Sequence, residues 1–468
     1  MYVLNHVERP LEEWFGHRRN AIYLRLHNPA SAPSQSSESF TPPTIQLMEQ
    51  SLSNLLTTTA VDLTPYEALY KHFHSHPELS RQEKLTSETA ISHLSRLNAF
   101  EIHSRIGGYG FAGVLRNGLG KTVLLRADMD ALPVKELTGL PYASTMSAHD
   151  SDGIEKPVMH ACGHDMHITC LLAAAETLVK VKAEWTGTLI VLFQPDEERG
   201  GGAQAMVDDG LYTKVPIPDY VFGQHVMRMR AGTIGSRVST IMAAADSLKV
   251  TLYGRGGHGS MPHQTVDPVI LAANVVLRLQ NIVSREIDPS DLAVVTVGSL
   301  QAGQTENIIA ESAEIGVDFR SVKPETREKI LSSIHRIVEA ECMASGSPKP
   351  PQFRQTRRFP PTDNDRNITE QLALSFKEHF KDNFDADTPR TNVSEDFSTL
   401  GTSQGRPCSF WFIGGIDHGL WDAAERDGRL LEDVPGNHSA HFAPAVQPTM
   451  RAGVDALCLA ALTFLKKS

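Results

Sequence analysis

The chain has 468 residues, 41% hydrophobic and 21% charged, with a formal net charge of −11. This is room for more than one domain at an ordinary globular composition, and the acidic balance argues against nucleic acid or an anionic membrane as the main partner. The five cysteines, Cys162, Cys170, Cys342, Cys408 and Cys458, are too few and too scattered for a disulfide framework and fit a reducing compartment.

Residues 1–60 read as a flexible extension, because Ala30 to Pro43 is rich in Ser, Pro and Thr and cannot bury an apolar face. The start, MYVLNHVERPLEEW, has early acids and no apolar core, so no secretory signal is expected. Glu8, Glu12 and Glu13 oppose a mitochondrial presequence, which leaves the cytoplasm as the expected location. No uninterrupted apolar run is long enough to span a bilayer.

The fold is expected to begin near Pro65, where Tyr66, Leu69, Tyr70 and Phe73 have helical spacing. From there strands and helices alternate. Lys121 to Ala127 is an apolar strand leading into Asp128 and Asp130. His167 to Val181 has a helical stripe of Leu171, Leu172, Ala175 and Leu178. Thr188 to Phe193, Tyr220 to Gly223 and Ser409 to Ile413 are further strands, the first ending at Glu197 and Glu198 and the second before His225. Near-continuous apolar strands separated by helices predict an α/β fold with a mostly parallel sheet, whose chemistry gathers beyond the strands' carboxyl ends. Residues 244–355 have a different rhythm. Alternating strands at Ser247 to Tyr253, Ala293 to Gly298 and Ala313 to Arg320, with helices at Val269 to Ile282 and Glu325 to Cys342, predict a smaller inserted α+β sandwich. Ser345 to Pro361, with its several prolines, reads as the linker back. The large domain would then comprise residues 61–243 and 356–468.

The densest chemistry is Met159 to His167, MHACGHDMH, followed by Phe193 to Glu198, FQPDEE. Thiol and imidazole at this density suit a divalent transition metal, and adjacent acids can divide into a ligand and a general base. In an extended segment Glu197 and Glu198 would point to opposite sides. Cys162 and His164 can face one metal, and a thiolate can bridge two. Asp128 and Asp130 read as partners that orient a ligating histidine, and Asp165 as a helix-start residue in a similar supporting role. His225 and His438 gain their weight from the further ligands that two metals require. The glycine-rich GRGGHGSMPH, Gly254 to His263, lacks the Lys-Ser/Thr ending of a phosphate cradle, so it is read as a loop presenting His258 to a ligand.

In order, HSHPELSRQE, RADMDALP, MHACGHDMH, FQPDEE, GQHV, GRGGHGSMPH, NII, SEDFS and GNHSAHFAP resemble the amidohydrolase branch of the aminoacylase and carboxypeptidase-G metallopeptidase family. That branch includes hippurate hydrolases and indole-acetyl-amino-acid hydrolases. The resemblance covers Tyr66 to Leu465. It implies a dinuclear-metal catalytic domain and a smaller lid or dimerisation domain, with a homodimer through that insertion. It implies that Cys162 bridges two divalent ions (Zn, Mn, Ni or Co), with His164 and His225 completing one site and Glu198 and His438 the other. Glu197 would be the general base, His258 would reach toward the substrate, and Asn307 and Arg320 would bind its amide oxygen and carboxylate. The implied activity is hydrolysis of an N-acyl amino acid, a small-molecule substrate. A dipeptidase or carboxypeptidase is the alternative within enzymes, and a catalytically silent binding protein the alternative outside them. The chain departs from the family at Asp196, where Ala is common, at Gln224, where an apolar residue is usual, at the Asp318-Phe319 lead to Arg320, and in GHGS.

Overall fold

The structure, a computed structural model, describes residues 52–467. Its principal strands are β1 (Glu101–Ile106), β2 (Gly110–Asn117), β3 (Thr122–Asp128), β4 (Gly187–Gln194), β5 (Tyr220–Arg230), β6 (Ile234–Gly235), β7 (Ala244–Tyr253), β8 (Ala293–Ala302), β9 (Ser312–Ser321), β10 (Gln352–Phe359), β11 (Phe384–Asp385) and β12 (Cys408–Ile416). The larger sheet runs β1-β2-β4-β3-β5-β12-β6-β11. Its centre is parallel, since β3 pairs in parallel with β4 and β5, and β5 with β12. The expected α/β class is therefore the observed one.

The parallel centre is apolar on both faces because both are covered. Val123, Leu124 and Leu125 of β3 have no exposed surface. One cover is the helix His164–Lys180, buried at almost every position through Leu178, not only along the expected stripe. It packs against the helix Val446–Leu465. Ala173, Ala174 and Ala175 on the first and Ala456, Ala460 and Ala461 on the second are fully buried, so the helices approach closely. The second helix is long and apolar enough to cross a membrane by composition, yet 78% of that stretch is buried within the protein.

The expected extension falls, up to residue 51, outside the described residues. Residues 52–59 are helical, with Leu52 and Leu56 in the main core and Ser53 Oγ 3.0 Å from His379 Nδ1. Ordered structure thus begins before Pro65.

The smaller sheet is antiparallel, in the order β8-β9-β7-β10. The helices Pro268–Asn281 and Pro324–Ala344 complete a separate core with Leu248, Val250, Val275 and Ile334. One expectation is corrected here. The stretch read as a linker contains β10, which pairs with β7 over seven positions. Its prolines, Pro348, Pro350, Pro351, Pro360 and Pro361, lie outside the paired segment, where they leave ladder hydrogen bonds intact.

Candidate active site

Gly163 has φ +82°, a left-handed conformation that Gly adopts without strain. It turns the chain from Cys162 into the helix that begins at His164. A Cβ at Gly163 would sit 2.4 Å from Val226 Cγ1. Gly163→Ala should therefore lower stability by about 1–3 kcal/mol and weaken metal binding. Thermal unfolding and metal titration check this, and wild-type values for both would contradict it.

His225 was expected just past a strand, but β5 continues to Arg230. The register explains why. Pairing of β5 with β3 ends at Gly223, whereas pairing with β12 continues through His225 opposite Phe412. His225 is therefore held in a strand whose other side has opened, and its Nε2 lies 3.4 Å from Cys162 Sγ. Glu197 and Glu198 also differ from expectation. They occupy a turn after Asp196, which has φ +54°, and so are not forced to opposite sides. The Asp130 carboxylate accepts from both of their backbone N–H groups, at 3.1 and 3.0 Å. His438 comes from the distant GNHSAHFAP block, its backbone N–H donating to Ala161 O at 2.8 Å. Its Nε2 is 3.4 Å from Glu198 Oε2, while His441 is exposed.

Of four overlapping groups of potential donors among the described residues, three contain histidine. Asp128, His164, His167 and His225 form one, Cys162, Glu198 and His438 a second, and His164, Glu197 and Glu198 a third; within each set the donor atoms lie within 4.8 Å of one another. The residues fit metal ions on independent grounds. Both ring nitrogens of His164 and Glu198 Oε1 are buried without a hydrogen-bond partner among the described residues, a condition that calls for an ion or another explanation. The charge balance agrees. Burial, followed by the charges of Glu198, Glu197 and Asp128, pushes the Cys162 thiol well above its ordinary pKa. A bound cation reverses that order and favours thiolate. Burial also holds His225 well below the usual imidazole range, leaving it neutral as a ligand must be.

Glu197 is buried, and burial, then the neighbouring charges of Glu395 and Glu198, raise its carboxyl well above the usual range. Beneath it lies an ion network whose roles the sequence did not suggest. The fully buried Arg126 guanidinium donates to Asp128 at 2.5 Å and to Glu395 at 2.7 Å, and lies 3.4 Å from Asp396. Gln194 bridges Arg126 and Asp396, at 2.8 and 2.6 Å. Burial, then the charge of Glu395, raises Asp396 to about 8. Asp128 in turn holds His167 Nδ1 at 2.6 Å, and His167 Nε2 accepts from Val226 N. One signal was legible in the sequence: Arg126 is a charge inside an otherwise apolar strand.

A second missed device is His74, between Asp165 at 2.7 Å and Glu136 at 3.0 Å, all with fully buried side chains. Asp165 thus ties the helix start to His74. Burial alone would lower the His74 pKa, but hydrogen bonds to Asp165 and Glu136 outweigh it and hold the value at about 10. The folded chain therefore keeps a proton that the unfolded chain releases near 6.5. The resulting stabilisation is complete below that pH and lost as pH rises through about 10. His74→Gln should cost about 3–5 kcal/mol at pH 6 and flatten the pH dependence of urea unfolding over that window. A slope equal to wild type would contradict the assignment.

A cavity of about 560 Å³ opens over Cys162, Glu197, Glu198, His225 and His438. Arg320 lines it, but its guanidinium is engaged by Asp318 at 2.8 Å and Ser394 Oγ at 2.9 Å. His258 and Asn307 do not line it. They sit together on a short antiparallel ladder, with His258 opposite Ile308 and Gly259 N donating to Asn307 O. Both are exposed.

A parallel α/β sheet with thiol, imidazole and carboxylate donors gathered beyond its central strands defines a metal-dependent hydrolase. The chain belongs to peptidase family M20/M25/M40, whose sequence profile matches residues 124–427, and it hydrolyses amide carbon–nitrogen bonds. It is 39% identical to hippurate hydrolase of Campylobacter jejuni over 282 residues, 60% of this chain and 70% of that protein. It is 33% identical to thermostable carboxypeptidase 1 of Saccharolobus solfataricus over 402 residues, 85% of this chain and 94% of that one. A Bacillus subtilis structure described as a dinuclear metal binding peptidase from the M20 family shares the fold, with a TM-score of 0.65 and 24% identity, covering 89% of this chain and 99% of that one. The resemblance read from the motifs therefore holds.

Proposed function

We propose that the protein hydrolyses the amide bond of N-acyl amino acids, releasing a carboxylic acid and an amino acid. The observation that carries this reading is the convergence of Cys162, His164, Glu198, His225 and His438 beside one cavity that also exposes Glu197. In this reading Cys162, His164, His225, Glu198 and His438 would hold two divalent ions. The donor set suits Zn, Mn, Ni or Co. When bound, such ions supply Lewis acidity and acidify water. Glu197 takes the proton of the attacking water on its carboxylate and returns it to the leaving nitrogen. Its burial among other acids raises its proton affinity for that task.

His258 hydrogen-bonds the developing oxyanion, with Asn307 beside it at the amide oxygen. Because neither lines the cavity of its own chain, both would be delivered from a second copy, in a homodimer formed through the smaller domain. Arg320, which lines the cavity, would bind the substrate carboxylate with the N–H groups that Asp318 and Ser394 leave free.

A carboxypeptidase or dipeptidase is the second reading, favoured by the long match to the Saccharolobus carboxypeptidase. The test is a screen of N-acyl amino acids and dipeptides on protein reconstituted in turn with each metal. Preferential turnover of N-acyl amino acids supports the first reading. Exclusive turnover of dipeptides overturns it.

A further inference from the structure

The turn that carries Glu197 and Glu198 lies outside the strands and helices, so its backbone is held by side chains. Asp196, at φ +54°, bends it so that successive N–H groups converge, as they do around a bound anion. Here the acceptors are the protein's own carboxyl groups. Asp130 takes the N–H of 197 and of 198, and Glu83 Oε1 takes that of 196 at 2.9 Å.

Glu83 has no exposed surface. Its Oε1 also accepts from Arg81 N at 2.8 Å, and its Oε2 is buried without a hydrogen-bond partner among the described residues. Burying a carboxyl costs free energy that its hydrogen bonds must offset, and both of these run to residues 81 and 196. Those two residues are also joined directly, Arg81 Nε lying 2.7 Å from Asp196 Oδ2. The segment carrying Glu83 is itself fixed. Ala131 N donates to Glu78 O at 2.8 Å, and the Glu78 carboxylate accepts from Leu85 N and Thr86 N at 3.1 and 2.8 Å. Asp130 Oδ1 is 3.5 Å from His164 Nδ1, so a change at Asp130 reaches a donor residue at once. Glu83 differs: it hydrogen-bonds to no proposed metal ligand and does not line the cavity. Burial, then the charge of Asp130, raises its carboxyl to about 8. At neutral pH it therefore offers the turn a placed oxygen more than a negative charge.

We infer that Glu83 is a positioning residue for the hydrolysis. By fixing Asp196 N and Arg81 N it sets the turn that presents Glu197 to the cavity and Glu198 to the donor sets. The inference rests on the amidohydrolase reading above, in which Glu197 is the general base.

The test compares wild type, Glu83→Gln and Glu83→Asp. Gln keeps an acceptor oxygen in place and cannot carry the charge. Asp can carry the charge but withdraws the acceptor by one methylene. Rates are measured at saturating metal on the N-acyl amino acid that wild type turns over best, metal affinity by zinc titration of the apo-protein, and stability by urea unfolding. Glu83→Asp should lose roughly 10- to 100-fold in kcat, with KM within about threefold of wild type, and should bind zinc about 10-fold more weakly. Glu83→Gln should stay within about threefold of wild type in kcat and in zinc affinity. Wild-type kcat in Glu83→Asp overturns the inference. A Glu83→Gln protein as impaired as Glu83→Asp also overturns it, because the charge and not the oxygen's place would then matter. A Glu83→Asp chain that fails to fold overturns it too, since the residue would then serve the fold as a whole. Each of these outcomes leaves the amidohydrolase reading standing. If metal-loaded wild type cleaves no N-acyl amino acid, that reading falls and this inference with it.

Discussion

Glu197→Gln should leave metal content unchanged and lower kcat by about 10²–10⁴-fold. The side chains are nearly isosteric, and the backbone N–H of residue 197 keeps its hydrogen bond to Asp130. Glu198 and His438 remain 3.4 Å apart, so the donor sets survive. What is lost is a carboxylate able to accept a proton from water and carry it to nitrogen. Burial, then the charges of Glu395 and Glu198, raises the proton affinity of the Glu197 carboxylate, and bound cations would offset part of that and keep it ionised until it takes the proton. The amide of Gln accepts no proton at neutral pH. Kinetics on the best N-acyl amino acid, paired with elemental analysis of the same preparation, reads both halves of the expectation. Turnover near the wild-type rate in fully metallated Glu197→Gln would remove Glu197 from the mechanism.

Arg126→Met should destabilise the protein by about 3–5 kcal/mol. Methionine follows much of the arginine stem, so little packing is lost. The charge is not replaced, and Asp128 and Glu395 lose their cation in a site where Arg126 has no exposed side chain, beside an Asp396 already raised to about 8. Burial works against the arginine cation, but the charges of Asp128 and Glu395 hold it protonated. Removing one member of a buried charge network costs more than the network contributes in total, because the remaining charges stay desolvated. Arg126→Lys keeps the charge but loses the fork that reaches Asp128 and Glu395 together, so an intermediate loss is expected. Urea unfolding at neutral pH measures both variants. An Arg126→Met protein as stable as wild type would show that the acids beneath Glu197 are neutral in the folded state.

How much of this was legible beforehand depends on the range of the interaction concerned. The elements around β3, β4 and β12 were readable to within a few residues, since an apolar run bounded by acids, Gly or Pro reports a local preference. The donor types were readable for the same reason. Cys162, His164, Glu197 and Glu198 are close in the chain, and their chemistry does not depend on what lies opposite. β10 was misread because its prolines flank it, and only pairing with β7 shows that they do not interrupt it. The end of β5 was misplaced because His225 stays in the strand through a neighbour, β12, nearly two hundred residues later in the chain.

By itself, then, the sequence determined the α/β class, the separate rhythm of the smaller sheet, and a metal-ligating, proton-transferring set of residue types. The tertiary structure alone decided which of them meet. His225 and His438 join Cys162 and Glu198 only because β5 outruns β3 and because the His438 backbone is bonded to Ala161. The same holds for the charges that no motif explained. Arg126, Glu395 and Asp396 form one buried network, Arg320 is paired with Asp318, and the Arg357 side chain has no hydrogen-bond or ion-pair partner among the described residues. Charge pairing acts over a few ångströms of space and is indifferent to separation along the chain, so it becomes visible only once the chain is folded.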